Sequence, residues 1–498
     1  MSRGPLPSLG AELEMVVIDA TGASACVSEG YFEALRTIRN LKASNSVERI
    51  DGITLAVHSD IGVNGIDNGF NLLETAHAPI AAGYDGLTKL AVAIRRDLSE
   101  VLHALRADGF SLTSLAQHPT AGTGPSQYKR VVAPRPIYRY LTSQRGWNHA
   151  AGIDAKAQNG PTTGLSVDNS INALNLLLAT SPAFISLFAN SPFEGGQLSG
   201  LMETRMTLWP RMVSTSHIAA DRDIVGLPPR WFSGLDDYFA WTFAPGSVMH
   251  AIPLKLGSYK SAAEFFVVGD GKTNAVDFFR GEGVEGLSVG SGKRKLLSPS
   301  AYCFEALQWS NFLDFRLRFA FGSTGPSADD IAHAFGQEGG FEILFRKHAT
   351  TLYLENRCAG ATFPDSDLAA IADPSVLDSC IISASALQAG LVMASASEGG
   401  AVAATFLRRW PIETIHQLRD DAIRHALSSP QNPALIALCS EVLALAREHL
   451  PAPDRKYLAY AEWVLSTRQT AAQRAIEHWR RLGKPALDTL ARERRVKL

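Results

Sequence analysis

The chain has 498 residues, 46% of them hydrophobic and 19% charged, with a formal net charge of −2. That is globular material for one large domain or a few smaller ones. It lacks the basic excess of a nucleic-acid binder and the acidic excess of a disordered chain. Five cysteines (Cys26, Cys303, Cys358, Cys380 and Cys439) are odd in number, far apart and form no CxxC pair, the pattern of reduced thiols in a cytoplasmic protein. Met1 to Pro7 carries one arginine and no apolar core, so no signal peptide is expected.

Leu9 to Asp19 predicts a strand. Side chains alternate along a strand, so Glu12 and Glu14 share one face, about 7 Å apart. Leu13, Met15 and Val17 take the other. Paired carboxylates need water, protons or a cation between them, and such oxygen ligands suit Mg2+; a solvated acidic face is the competing reading. Ser28 to Asn40 has apolar residues at helical spacing. A strand pair follows, Ile53 to Val57 and Asn71 to Ala76, joined by a Gly- and Asn-rich linker of turn composition. Glu74 is an acid in the otherwise apolar second strand.

A long helix is expected over Gly86 to Asp108 and a strand over Ser111 to Ala116, which ends in Gln117-His118-Pro119. His118 either lines a cleft or is a hydrogen-bonded loop histidine. Ile137 to Gly146 begins a helix or turn carrying Tyr138, Arg139 and Arg145. Thr162 to Asp168 alternates like a strand, with Thr162, Gly164, Ser166 and Asp168 on one face. Asp168 or Asn169 is a candidate N-cap for a helix from Ser170. That helix is expected to break at Pro182 and resume to Asn190. The apolar run Leu174 to Phe193 contains Asn175, Pro182 and Asn190, and reads as a buried helix rather than a membrane span.

From 211 to 300 the pattern is irregular, and Phe304 to Phe319 is a mixed aromatic stretch. Two fragments, Gly269 to Thr273 and Ser291-Gly292-Lys293, end like phosphate-binding loops. Phe266 and Leu287 stand where that motif needs glycine, so both are rejected. Thr351 to Arg357 is a strand with Tyr353, Glu355 and Arg357 on one face. Beyond Pro374 the chain is mostly helical, roughly 374–391, 397–407, 412–427, 432–449, 454–466 and 470–482. From Arg468 onward nine Lys/Arg stand against three Asp/Glu, a solvated helix face or a weak surface for an acidic partner. No Gly-x-Ser-x-Gly, Cys–His signature or HExxH occurs, which speaks against hydrolase and zinc-enzyme chemistry.

Three separate strands thus carry acids flanked by apolar residues: Glu12 and Glu14, Glu74, and Glu355. A lone buried acid is usually ion-paired; four from both ends of the chain predict one multi-carboxylate cleft for hard cations. Arg205 and Arg357 are candidates for gripping phosphate or carboxylate.

The order of these motifs resembles the plant and proteobacterial glutamate–cysteine ligases and, more loosely, the carboxylate–amine ligases. Gly10-Ala11-Glu12-Leu13-Glu14 resembles the family's opening strand, and Leu72 to Pro79 its Glu-Leu-Ser-Gly-Ala-Pro segment. Gln117-His118-Pro119 sits where the family has a Gly- or His-Pro strand end. Thr162 to Asp168 is similar to its strand with Gln, a small polar residue and Asp. Ala189 to Phe193 and Arg205 to Trp209 resemble its Asn-Ser-Pro and Ser-x-Arg-x-x-x-Trp elements, Leu352 to Arg357 its Tyr-Leu-Glu-x-Arg, and Glu441 to Ala459 its C-terminal region. Gly164 stands where the family strand commonly has Gln, and Cys358 to Ala361 replaces a Gly-Ala-Asp sequence. The middle, 211–345, matches poorly, and Gly325 to Phe345 looks inserted.

The resemblance implies an α+β fold: a curved, mainly antiparallel sheet forming a glutamine-synthetase-like funnel, with outer helices and a helical C-terminal region. It divides the chain into a catalytic domain, 1–405, and a helical region, 406–498, packed on it. It implies an ATP- and Mg2+-dependent ligase joining the γ-carboxylate of glutamate to the amine of cysteine through an acyl phosphate. Another amine, or a non-catalytic nucleotide-binding relative, are the alternatives. Implied roles are metal binding for Glu12, Glu14, Glu74 and Glu355, and catalysis for Arg357 and Arg205. Nucleotide contacts fall to Ser166, Tyr353 and Asp168, and substrate contacts to Thr75, His118, Tyr138 and Arg139. The implied partners are small molecules, with no nucleic acid and no membrane, and the chain is expected to be a monomer or homodimer.

Overall fold

The computed structural model describes residues 7–42, 46–152, 156–243, 251–253, 260, 265–268, 273–428 and 433–498. The expectations for Met1 to Leu6 and for the fragment Gly269 to Lys272 lie outside them.

The chain is built on one ten-stranded antiparallel sheet. Its strands are β1 (Ser8–Ile18), β2 (Val47–Ile50), β3 (Ile53–His58), β4 (Gly62–Ile66), β5 (Leu72–His77), β6 (Ile80–Ala81), β7 (Ser111–Thr113), β8 (Asn159–Gly164), β9 (Phe315–Phe321) and β10 (Ala349–Asn356). Across the sheet the order is β9-β10-β8-β1-β5-β4-β3-β2, with β6 and β7 pairing the two ends of β1. β1 is therefore central, and its apolar side chains Leu9, Ala11, Leu13, Met15 and Val17 are all buried on one face. The Gly- and Asn-rich linker expected to be a plain turn contains β4. Gly62 and Gly65 sit so close to neighbouring backbone that a Cβ would clash, Gly62 at 2.1 Å from Ala76 O and Gly65 at 2.9 Å from Leu55 O. Glycine here marks close strand pairing rather than a loop.

Helices cover the apolar face. α1 (Glu29–Ile38) is capped by the Ser28 hydroxyl, which accepts from Gly30 N. α2 (Gly86–Leu105) lies beside it, and α3 (Pro136–Ser143) starts on proline at its first turn. α4 (Ser170–Leu187) runs unbroken through Pro182, against the expected break; all but two of its 18 residues are buried. A helix apolar all round is held by packing on every side, which offsets the bond proline removes. Within the helical segment Val167–Leu187, which contains α4, the 18-residue apolar window is 89% buried. α5 (Ser383–Ala396) packs on β8 and α4. The second long apolar helical stretch, Ser383–Arg409, bends at Glu398 to Gly400, where three successive φ values are positive. α6 (Ile412–His425) and α7 (Pro433–His449) complete the helical layer. The C-terminus is fastened to the sheet. Val496 N donates to Leu112 O, and Arg494 pairs with Asp365 and Asp367 at 2.7 and 2.8 Å. Part of the basic tail is thus consumed by internal ion pairs.

The middle region also departs from the irregular reading. Ala251–Pro253, Phe265–Val268, Val284–Ser288 and Arg294–Leu297 form a second antiparallel sheet of four short strands. The segment 325–345 is integrated into the core: Phe341 lies 4.6 Å from Phe239, and Phe345 lies 4.9 Å from Phe319.

Candidate active site

The polar face of the sheet opens onto a cavity of about 380 Å3. Strand register decides what lines it. Glu14 stands opposite Glu74, which stands opposite Gly65 and then Ala56 and Glu48. Glu12 pairs with Ala76 on one side and Gly160 on the other. Thr162 is opposite Glu355, which is opposite Arg316; Gly164 is opposite Tyr353, which is opposite Arg318. Because alternate residues share a face, one row of carboxylates and one of arginines look into the same space. Among the described residues six Asp or Glu and six Lys or Arg line it.

At the acidic end, oxygens of Glu14, Asp67 and Glu74 all lie within 4.8 Å of one another. Two ammonium groups bridge them. Lys156 donates to Glu14 at 2.8 Å and Asp67 at 3.0 Å, and Lys260 to Asp67 and Glu74 at 2.7 Å each. Burial raises the Asp67 carboxyl, but Lys156 and Lys260 outweigh it and hold it well below the usual range. Burial pushes Glu14 up to about 7 despite Lys156. It pushes Glu12, beside Glu355 and Glu74, up to about 8. Burial thus favours the protonated form of Glu12 near neutral pH, although Lys260 and Arg318 pull its pKa down.

The opposite end is basic. Glu355 receives Arg316 at 2.8 Å, Arg357 at 3.0 Å and Arg318 at 3.4 Å. These guanidiniums outweigh its burial and hold it well below the usual carboxylate range. Three arginines around one carboxylate leave a positive surplus facing the cavity. The Arg357 guanidinium lies 4.8 Å over the Trp209 ring and 5.5 Å from Phe312, and those two rings stack at 4.2 Å. Tyr138 lines the cavity and donates to Asp67 O at 3.0 Å. His149 lies against it, ring centroids 5.6 Å apart. Burial lowers His149 to about 3, so its imidazole is neutral.

Of the residues singled out in the sequence, Glu12, Glu14, Glu74, Glu355, Arg357 and Tyr138 line this cavity. Tyr353 stands on the same strand face, where burial raises its hydroxyl pKa beside Arg318, Glu12 and Glu355. The others lie elsewhere. Arg205 is buried behind the wall, donating to Glu203 at 2.8 Å, Arg357 O at 3.0 Å and Cys358 O at 2.7 Å. It fixes the backbone that carries Arg357. Thr75 points to the back of the sheet, fully buried, and accepts from Asn64 at 2.5 Å; alternation turns it away from its neighbour Glu74. His118 is a loop histidine: Nδ1 accepts from Ala121 N at 3.0 Å and Nε2 faces Gly22 O at 2.9 Å. Ser166 and Asp168 fall beyond the end of β8, both exposed, and Asp168 pairs with Arg346 at 2.5 Å. Neither Asp168 nor Asn169 gives α4 a side-chain cap. Arg139 is on the exposed side of α3.

The structure adds Asp67, Lys156, Arg316, Arg318 and His149. Arg316 and Arg318 were legible: Phe315-Arg316-Leu317-Arg318-Phe319 alternates, and reading it only as an aromatic stretch concealed a strand. Asp67 follows β4 and carries no periodic signal of its own.

Residues 8–245 match the glutamate–cysteine ligase family 2 (GCS2). No curated protein matches the sequence. Among solved structures the chain is similar to the glutamate–cysteine ligase of Francisella tularensis in complex with AMP, at 10% identity and TM-score 0.51, over 99% of this chain and 89% of that one. It is also similar to a bifunctional glutathione synthetase from Pasteurella multocida, at 11% identity and TM-score 0.50, over 98% of this chain. It spans 51% of that protein's length. Residues 8–245, just under half of the chain, are thus similar to glutamate–cysteine ligase family 2, and the chain shares the fold of the Francisella tularensis ligase.

Proposed function

We propose that the protein joins the γ-carboxylate of glutamate to the amine of cysteine, using ATP and Mg2+. The observation that carries this reading is the division of one cavity into a cluster of carboxylate oxygens and a cluster of arginines. A carboxylate attacking a triphosphate must overcome repulsion between anions. Hard cations on the acids and guanidiniums on the phosphates supply the counter-charge.

The acids fit Mg2+. The donors are all carboxylate oxygens, three of them converge within 4.8 Å, and Glu14 Oε2 is buried with no hydrogen-bond partner. Glu12, Glu14, Glu74 and Glu355, with Asp67, would hold the metal, which when bound neutralises phosphate charge. Arg357, flanked by Arg316 and Arg318, stabilises the transferring phosphoryl group. Arg205 acts through Arg357 by holding its backbone. Tyr353 lies toward the nucleotide and Tyr138 toward the amino-acid substrate. The glutamate γ-carboxylate attacks the γ-phosphorus and ADP leaves. The amine then attacks the acyl carbon, and phosphate and a proton leave. On this reading residues 1–405 form the catalytic domain and 406–498 a helical region packed on it.

The test is ADP release from purified protein with ATP, Mg2+ and glutamate, with and without cysteine and a panel of other amines. Release that needs glutamate and cysteine together is expected. Release only with a different amine would keep the chemistry and replace cysteine. Absence of release with every pair would refute the ligase reading.

A further inference from the structure

His149 is a cavity-lining group that carries no charge and leaves one of its two ring nitrogens without a hydrogen-bond partner. The residue is 2% exposed and lines the cavity. Its Nδ1 faces the Tyr128 hydroxyl at 3.1 Å, and Tyr128 is not part of the cavity lining. The ring is clamped between the rings of Tyr128, Tyr138 and Trp147, at 5.7, 5.6 and 6.3 Å. Its other nitrogen, Nε2, is buried and has no hydrogen-bond partner. Buried polar atoms are nearly always paired, and one that is not calls for a ligand or an ordered water. The residue that carries this nitrogen is part of the cavity lining and is packed by aromatic rings on three sides, so it is preorganised to meet a ligand.

The place of His149 selects which ligand. Arg316, Arg318 and Arg357 make the opposite end the seat of anions. His149 sits with Tyr138 at the Asp67 end, where Tyr138 donates to Asp67 O at 3.0 Å and Asp67 is near enough to act on the imidazole electrostatically. A neutral, hydrogen-bonding ring beside acids suits the amine-bearing substrate, an amino acid presenting a nitrogen nucleophile. We propose that His149 Nε2 hydrogen-bonds this second substrate and helps to set its selectivity. The inference rests on the ligase reading above.

Two reactions separate the two ideas. Hydroxylamine, small enough to need no amino-acid pocket, traps the activated glutamate as a hydroxamate; cysteine must bind the pocket. Wild-type protein that forms no hydroxamate with ATP, Mg2+ and glutamate would refute the ligase reading itself. Hydroxamate without a cysteine product would refute cysteine as the amine. Where both reactions run, His149→Phe keeps the aromatic packing and removes both nitrogens. It should raise the cysteine KM tenfold or more and leave the hydroxamate rate and the KM for ATP and glutamate within twofold. His149→Gln, which restores a polar atom, should recover part of the loss. An unchanged cysteine KM, or a parallel fall in both reactions, would overturn the proposal.

Discussion

Lys156→Met is the sharpest test of the acidic cluster, because it is read without any catalytic assay. The Lys156 side chain is 3% exposed and bridges Glu14 and Asp67. Removing one partner of a buried ion pair costs about 3–5 kcal/mol, since the remaining charge stays buried. Glu14 already sits at about 7 and takes up a proton once the ammonium is gone, so the cost should lie near the lower figure, about 3 kcal/mol. Unfolding entropy of about 2.1 cal/mol/K per residue gives about 1 kcal/mol/K for this chain, so Tm should fall by about 3 °C. Mg2+ should then restore more of Tm in the variant than in wild type, because the ammonium no longer competes for the same oxygens. At a hundredfold excess over Kd, a bound ligand contributes about 2.7 kcal/mol. Calorimetry with EDTA and with MgCl2 reads both shifts. Equal Mg2+ shifts in the two proteins, or none in either, would refute the cation-cluster reasoning.

Three other outcomes follow from the same geometry. Glu355→Gln and Glu12→Gln should each lower turnover by about 10²–10³-fold with far-UV circular dichroism unchanged; wild-type turnover in either would remove that residue from the site. Glu12 has a folded pKa raised to about 8 and Glu14 one raised to about 7, against a usual 4.5, so between those values the folded state holds protons the unfolded chain has lost. Stability of the metal-free protein should therefore fall as pH rises from about 5 to 8, by up to about 1.4 kcal/mol per unit for each such group. Mg2+ should flatten that slope, and stability rising over this range would contradict the assignment. Arg205→Ala should strand the buried Glu203, costing about 3–5 kcal/mol, and should lower kcat through the displaced Arg357; normal Tm and kcat together would show that the backbone needs no such support.

The site was legible where it lies on regular strands and obscure where it does not. Period-two alternation alone put Glu12 and Glu14 on one face, and Glu74 and Glu355 stood out as acids in apolar strands. The same rule, applied past the end of β8, misplaced Ser166 and Asp168, because alternation says nothing about where a strand stops. Thr75 went astray for the opposite reason: it lies inside the strand and alternation assigns it to the back, whereas the family resemblance drew it to the site. Lys156 and Asp67 could not be read, since a bridging lysine is recognisable only once the carboxylates it joins are neighbours in space. The family match ends at residue 245, so Arg316, Arg318, Glu355 and Arg357 join the site only through the pairing of β10 with β8.

That dependence on register explains a feature of the back of the sheet. Glu14 opposite Glu74 is a like-charge cross-strand pair, which by itself disfavours this alignment of β1 and β5. A slip of one residue would relieve it and turn every acid toward the helices. The opposing face resists the slip through buried polar contacts that fit one register only. His77 Nδ1 meets Ala11 O at 3.0 Å, and its Nε2 faces Asp97 at 3.4 Å. Asp97 is held by Arg39 at 2.5 Å and by Asn64 at 2.9 Å, and Asn64 in turn donates to Thr75. These groups belong to β4, β5, α1's C-terminal end and α2, the elements that flank the acids. Thr75 and His77, with no place in the cavity, hold Glu74 and Glu12 in it by specifying which residues pair. A polar core of this kind favours one alignment over its neighbours, and the acids are thereby gathered before any cation arrives.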